Sequence, residues 1–405
     1  MDRRSAGLLL HPTSLWSPHG VGDLGDEATR LLDWMARAGL QLWQMLPIGP
    51  VGTDGSPYSS WSSNLGNPLL IDLRQLVSVG LVDSSDIAAR QVTASVNFER
   101  VRRDKLPIVH AAARRLLDAY DHKWQPELAQ YRVANPWVVQ AALFSVIRSQ
   151  HLESDRTPTP WWRWPVGLRQ ARTRSVENIF RQCEREIDVQ VAVAFLFDQQ
   201  WHDLRRRAQQ RGVALFGDMP IYVGRDSVDV WAAPERFQLG PKSIPTQVAG
   251  VPPDAFSELG QLWGNPLYDW HAHAAERYAW WRARLKRSFE LFDVVRVDHF
   301  RAFAAYWSVP MGAEDAREGA WVAGPGAELF EAIEQDLGHV DIVAEDLGTI
   351  DDDVCRLLDE TGLPGMEVLQ FAFDGDRSNN YLPHNHRHNA VAYVGTHDND
   401  TALGW

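Results

Sequence analysis

Cysteine is almost missing from this chain: Cys183 and Cys355 are the two in 405 residues. Two thiols cannot build a disulfide framework or a structural zinc site, and they fit a reducing compartment, so a cytoplasmic protein without a metal or other cofactor is expected. There is also no apolar run approaching the roughly 20 residues that a membrane-spanning helix needs. The first residues, Met1-Asp-Arg-Arg-Ser-Ala6, are followed by just a few apolar positions before His11-Pro12, too few for a secretory signal. Positive charge is in short supply. The net charge of −13 argues against a nucleic-acid partner, because phosphate binding wants a basic face. Tryptophan, by contrast, is plentiful, with 18 residues whose indole faces can stack on one another in a core or on sugar rings in a site.

The chain is long enough for one large barrel with insertions or for several ordinary domains. Gly7-Leu-Leu-Leu-His-Pro12 is a short apolar run stopped by proline, hence a strand. The loop after it holds Gly20-Val-Gly-Asp-Leu-Gly25, which matches a dinucleotide fingerprint. The next helix opens with Asp26-Glu27, whose charges would repel a pyrophosphate, so the match is read as accidental. Ala28, Leu31, Leu32, Met35 and Ala36 predict an amphipathic helix over 26–38 that Gly39 closes. Further strands are expected at 40–47, 213–220, 292–300, 340–346, 366–373 and 390–398, with helices between most of them. The divisions that follow are 1–73 for strands one and two, 74–186 for an Arg-rich helical insertion, and 187–223 for strand three. A loop-rich insertion over the site occupies 224–290, and strands four to seven occupy 291–405. Strands alternating with helices point to an α/β protein, a (β/α)₈ TIM barrel with helical and loop-rich insertions; a doubly wound sheet is the alternative. Trp405 comes only a few residues after the seventh strand, so the eighth strand is expected in chain beyond it.

Carboxylates recur at the carboxyl ends of these strands, where barrel sites are built. The stretch Phe292-Asp-Val-Val-Arg-Val-Asp-His-Phe300 is a buried strand ending in charge. Arg296 stands two residues before Asp298, on the same face, and would hold Asp298 ionised, as a nucleophile requires. Glu345 and Asp398 end the fifth and seventh strands. With Asp298 they form the carboxylate set that glycoside chemistry asks for: one group to attack or stabilise the anomeric carbon and another, its pKa raised, to protonate the leaving oxygen. Asp346, next to Glu345, faces the other way by strand alternation, so burial is the expected cause of a raised Glu345 pKa. Asp374 ends the sixth strand, and Ser56 lies with Tyr58 in a long Gly-, Ser- and Pro-rich loop at the end of the second; both are candidate substrate contacts.

The segments Leu9-Leu-His-Pro-Thr-Ser-Leu15, Gly66-Asn-Pro-Leu-Leu-Ile-Asp72, Gly217-Asp-Met-Pro-Ile-Tyr-Val223, Gly260-Gln-Leu-Trp-Gly-Asn-Pro-Leu-Tyr268, Arg296-Val-Asp-His-Phe-Arg301, Ala344-Glu-Asp-Leu-Gly348 and Gly395-Thr-His-Asp-Asn-Asp-Thr401 together resemble the 4-α-glucanotransferases, or amylomaltases, of glycoside hydrolase family 77 in the α-amylase superfamily. The resemblance runs the length of the chain. It implies Asp298 as nucleophile, Glu345 as general acid/base and Asp398 as transition-state stabiliser. Sugar contacts are implied for Tyr58, Asp218, Arg296, His299 and His397, and for Phe256, Gln261, Trp263 and Asn265. The implied activity is retaining transfer of a segment of an α-1,4-glucan to the 4-hydroxyl of another glucan, by a monomer or weak homo-oligomer. An α-glucan hydrolase and a non-catalytic glucan-binding protein are the alternatives. Ala255 stands where the family often has Tyr, and Ala302 where it commonly has Gly. The tract His384-Asn-His-Arg-His388 is read as a solvated turn and not as a metal site, because Arg387 sits within it.

Overall fold

A computed structural model describes residues 4–52, 54–87, 95–154, 157–254 and 257–405. In chain order the strands are β1 (Gly7–Leu9), β2 (Leu42–Gln44), β3 (Ala214–Met219), β4 (Gln247–Val251), β5 (Gln261–Pro266), β6 (Val294–Val297), β7 (Ala305–Pro310), β8 (Ala320–Ala323), β9 (Ile342–Ala344), β10 (Gly365–Val368) and β11 (Ala390–Tyr393). Strands β1-β2-β3-β6-β9 form one parallel sheet and β10-β11 a parallel pair. The Ala344 N–H donates to the Pro364 carbonyl at 2.8 Å, which brings the pair against the edge of the sheet at β9. The seven expected strands are therefore present, in barrel order. Among the described residues no hydrogen bond joins β11 to β1, and the barrel is not closed.

Val294, Val295 and Val297 are buried on both faces of β6, the pattern of a parallel strand covered by helices. The helix Asp26–Ala38 has the bounds its pattern predicts; it buries Ala28, Leu32 and Met35 and ends where Gly39 turns left-handed at φ 73°. The helices Phe98–Asp118, Gln125–Ala134, Pro136–Gln150 and Arg174–Gln182 lie between β2 and β3, and all four pack on the long helix Glu184–Gln209. Gly217 of β3 is required by close approach: a Cβ there would meet the Phe292 ring at 2.2 Å.

The loop-rich insertion expected over 224–290 holds two strands, β4 and β5, and these join β7 and β8 from the stretch after β6 in a separate antiparallel sheet in the order β5-β4-β7-β8. Gly250, Gly264, Asn265 and Pro266 hide the strand signal of β4 and β5, whose conformation is set by their pairing with each other and by that of β4 with β7, and not by local propensity. This sheet stands beside the mouth of the barrel.

Trp201 ties the long helix to the barrel. Its buried indole donates to the Leu291 carbonyl at 2.8 Å, stacks on Phe197 at 5.7 Å and meets the Phe292 ring edge-on at 5.4 Å. Trp201→Ala removes the largest part of this contact and should cost about 3–5 kcal/mol of stability, read as a lower denaturant midpoint at unchanged slope.

Candidate active site

Sheet register assembles the site. Asp218 lies directly across from Arg296 in the β3–β6 pairing, and Arg296 lies across from Val343 in the β6–β9 pairing. Asp298 and Glu345 are two residues further on than Arg296 and Val343, so all four side chains emerge on one face at the carboxyl ends. Arg296 then bonds both Asp218 oxygens through Nη1, at 2.8 and 2.9 Å, and reaches Asp298 Oδ1 through Nη2 at 2.8 Å. The same Nη2 is 3.9 Å from Glu345 Oε2. Burial works against the Arg296 charge, yet the neighbouring carboxylates, Asp218 first, outweigh it and hold the pKa well above the usual arginine value. Burial pushes the Asp218 carboxyl up, against the pull of Arg296 and of the Tyr58 hydroxyl.

Glu345 is a buried carboxyl whose Oε2 accepts from the His299 N–H at 2.7 Å and whose Oε1 accepts from the Leu347 N–H at 2.8 Å. Burial is the main cause that raises its pKa to about 7; Arg296 opposes it and the Asp298 charge adds to it. Asp346 plays no part, as alternation predicts. It turns away to accept from the Met366 N–H at 2.7 Å and from Arg387 Nη2 at 2.7 Å.

His299 follows Asp298 in a left-handed conformation, φ 51° and ψ 47°, which swings its N–H onto Glu345 and its ring onto Trp263, edge-on at 4.8 Å. Burial lowers its pKa to about 4, so the imidazole is neutral at physiological pH, and Nε2 has no hydrogen-bond partner. Tyr58 donates to Asp218 Oδ2 at 2.6 Å, stacks on His397 at 5.3 Å and lies 3.0 Å from His397 Nε2. That nitrogen is also 3.3 Å from Asp398 Oδ2, and the Asp398 carboxylate is otherwise exposed.

These groups open into a cleft of about 980 Å³. Tyr58, Gln261, Trp263, Asn265, Arg296, Asp298, His299, Glu345, His397 and Asp398 all line it. Gln261 Oε1 accepts from the Trp263 indole N–H at 3.0 Å, and Asn265 Nδ2 donates to the Val223 carbonyl at 3.0 Å. Asp218 stands behind them, under Arg296. Phe256, with Ala255, lies outside the described residues. The structure does not bring Ser56 or Asp374 to the cleft wall. Ser56 Oγ accepts from the Tyr58 N–H at 3.3 Å and shapes the loop, while Asp374 is exposed and accepts from the Asp376 N–H and from Asn379. The chain turns into a 3₁₀ segment, Leu369–Phe371, before Asp374 is reached. The wall also holds Trp61, Arg225, Arg301, Trp321 and Phe371, which the sequence reading did not single out. Among the described residues no group of three or more His, Cys, Asp or Glu is placed to hold a metal ion.

A family model described as 4-alpha-glucanotransferase, that of glycoside hydrolase family 77, matches residues 10–405. The chain belongs to this family. It is 45% identical over 407 residues to the 4-alpha-glucanotransferase of Arabidopsis thaliana named as chloroplastic/amyloplastic, with 100% of this chain and 70% of that one covered. It is 44% identical to the 4-alpha-glucanotransferase of Thermus thermophilus, over 99% of this chain and 80% of that one. The structure superimposes on the amylomaltase from Streptococcus agalactiae in complex with acarbose with a TM-score of 0.94 at 34% identity, covering 100% of this chain and 81% of that one.

Because the Asp298 charge helps to raise the Glu345 pKa, Asp298→Asn should lower it. A carbon NMR titration of labelled glutamate should show the Glu345 midpoint near 7 in the natural protein and lower in the variant. A midpoint in the ordinary carboxylate range in both would contradict the electrostatics described.

Proposed function

We propose that this family 77 enzyme transfers α-1,4-glucan segments by retaining double displacement, with Asp298 as nucleophile, Glu345 as general acid/base and Asp398 as stabiliser. The observation that carries this is the shared guanidinium nitrogen. Asp298 Oδ1 and Glu345 Oε2 touch one Arg296 nitrogen at 2.8 and 3.9 Å, which puts them at most about 6.7 Å apart. A retaining pair lies about 5–5.5 Å apart and an inverting one about 6.5–9.5 Å, to leave room for water, so this bound spans the retaining distance and reaches only the short edge of the inverting range.

In the first step the protonated Glu345 carboxyl gives its proton to the glycosidic oxygen while the Asp298 carboxylate attacks C1, so the leaving glucan departs with a free 4-hydroxyl. In the second step Glu345, now ionised, takes the proton of an acceptor 4-hydroxyl, whose oxygen displaces Asp298 and restores the α-linkage. Arg296 Nη2, 2.8 Å from Asp298 Oδ1, holds that carboxyl in position for the attack. The neutral His299, with an unpartnered Nε2, and the coupled Tyr58, His397 and Asp398 supply donors and acceptors for sugar hydroxyls. Trp263 offers an indole beside them, and Gln261 and Asn265 flank it. The substrate is a maltooligosaccharide or other α-1,4-glucan, in keeping with the acarbose bound by the Streptococcus agalactiae relative. The unpaired Cys183 and Cys355 fit a reducing compartment, here the cytosol; the Arabidopsis relative's name places that enzyme in plastids.

Maltotriose decides between transfer and hydrolysis. A transferase yields glucose together with longer oligomers, whereas a hydrolase yields only shorter ones, and that second outcome would sink the reading. Asp298→Asn should cut transfer on the order of 10³-fold or more while glucan binding is retained. The pH profile of kcat/KM is a further check. Glu345 must carry its proton in the free enzyme to act as acid, so activity is present below its pKa and should fall as pH rises through about 7.

A further inference from the structure

Trp321 belongs to β8, at the edge of the antiparallel sheet, and lines the cleft while 40% exposed. A large indole left open to water inside a site is unusual. This one is also held still. The Arg301 guanidinium lies 3.7 Å from the centre of its ring, and Trp307 meets it edge-on at 5.0 Å from the neighbouring strand. Arg301 is itself locked: its side chain is 2% exposed, Nη1 donates to the Thr349 carbonyl and Nη2 to Asp351 at 3.2 Å. With both neighbours on protein, the remaining exposed surface of the indole is a flat, preorganised apolar face, and a cation under one face leaves the other for a ring of C–H bonds.

Its position along the cleft follows from the same contacts. Arg301 binds the carbonyl of Thr349 in the loop that continues directly from Glu345, and Leu347, Gly348 and Thr349 of that loop line the cleft together with Trp321. We infer that Trp321 is a stacking platform for a glucose unit of the acceptor chain, away from the bond that is made, and that it sets the preference for longer acceptors. This rests on the transferase reading above, in which Glu345 serves the leaving and acceptor side. No chemical step is altered. Trp321 contributes binding, and the stack is the kind of contact worth about 0.5–1.5 kcal/mol, which is roughly two- to tenfold in affinity.

The test fixes the donor and varies the acceptor in the full chain, comparing the natural protein with Trp321→Leu, which keeps an apolar cover over Arg301 but no flat face, and Trp321→Phe, which keeps one. The expected result for Trp321→Leu is a KM for maltotriose or a longer acceptor raised about two- to tenfold, a clearly smaller change in the KM for glucose as acceptor, and most of the loss restored in Trp321→Phe. Quenching of tryptophan fluorescence by long acceptors should shrink in both variants. An unchanged KM for long acceptors, an equal loss with glucose, or a KM change confined to the donor would each overturn the assignment. Loss of all transfer in the natural protein would instead strike at the transferase reading and leave stacking to be read from the fluorescence alone.

Discussion

A single buried cation holds this site together. Arg296 has 5% of its side chain exposed and faces three carboxyl groups, Asp218, Asp298 and Glu345. A guanidinium with two bonds to Asp218 and one to Asp298 is already overmatched in charge, so the third carboxyl cannot ionise without leaving excess negative charge in a region of low dielectric. Glu345 therefore keeps its proton to a higher pH than a carboxyl in water. Burial sets the scale of this shift, and the Arg296 charge that would cancel it is spent on Asp218 and Asp298. The two backbone N–H groups that bond Glu345 limit the rise and fix the direction in which the carboxyl points.

That arrangement depends on strand register more than on any loop. Asp218 and Arg296 are paired residues across β3 and β6, and Glu345 follows Val343, the partner of Arg296 on β9. Side chains alternate along a strand, so a slip of one residue in either pairing would send a whole set to the opposite face. The buried valines of β6 and the Phe292 ring lodged against Gly217 are thus part of the site, since they prevent the slip. The loop that carries Tyr58 and the antiparallel sheet that carries Trp263 and Trp321 then build walls on a floor that is already fixed.

The floor and the Tyr58 loop were legible in the sequence; the antiparallel sheet that carries Trp263 and Trp321 was not. Short apolar runs ending in Asp218, Asp298, Glu345 and Asp398 announce strands and their charged ends, because both signals are local. The pairing of Arg296 with Asp298 followed from a two-residue spacing, and the separation of Asp346 from Glu345 followed from a one-residue spacing. The helix Asp26–Ala38 was legible for the same reason, with a periodic face and a glycine after it. By contrast β4 owes its extended form to pairing with β5 and β7, and β5 to pairing with β4, and nothing inside Gln247–Val251 or Gln261–Pro266 declares it. Arg301 and Trp321 stack because β7 and β8 fold back over the segment Phe300–Phe303, which no pattern of residue types encodes. Asp374 misled for a related reason: the residue type was right and the backbone had already turned away.

A retaining cycle asks one carboxyl to be an acid and then a base, and the geometry around Arg296 bears on how that alternation is driven. In the proposed cycle, while Asp298 is a free carboxylate its charge raises the Glu345 pKa, which favours the protonated form that would expel the leaving glucan. Esterification of Asp298 to the sugar would remove that charge and free Nη2 of Arg296 from its 2.8 Å ion pair, with Glu345 Oε2 standing 3.9 Å away. Both changes act in the same direction and lower the Glu345 pKa when a base is wanted for the incoming 4-hydroxyl. Asp218 is what keeps this alternation from becoming a rearrangement. Its two bonds to Nη1 hold the guanidinium in place through both half-reactions, and the Tyr58 hydroxyl holds Asp218 in turn.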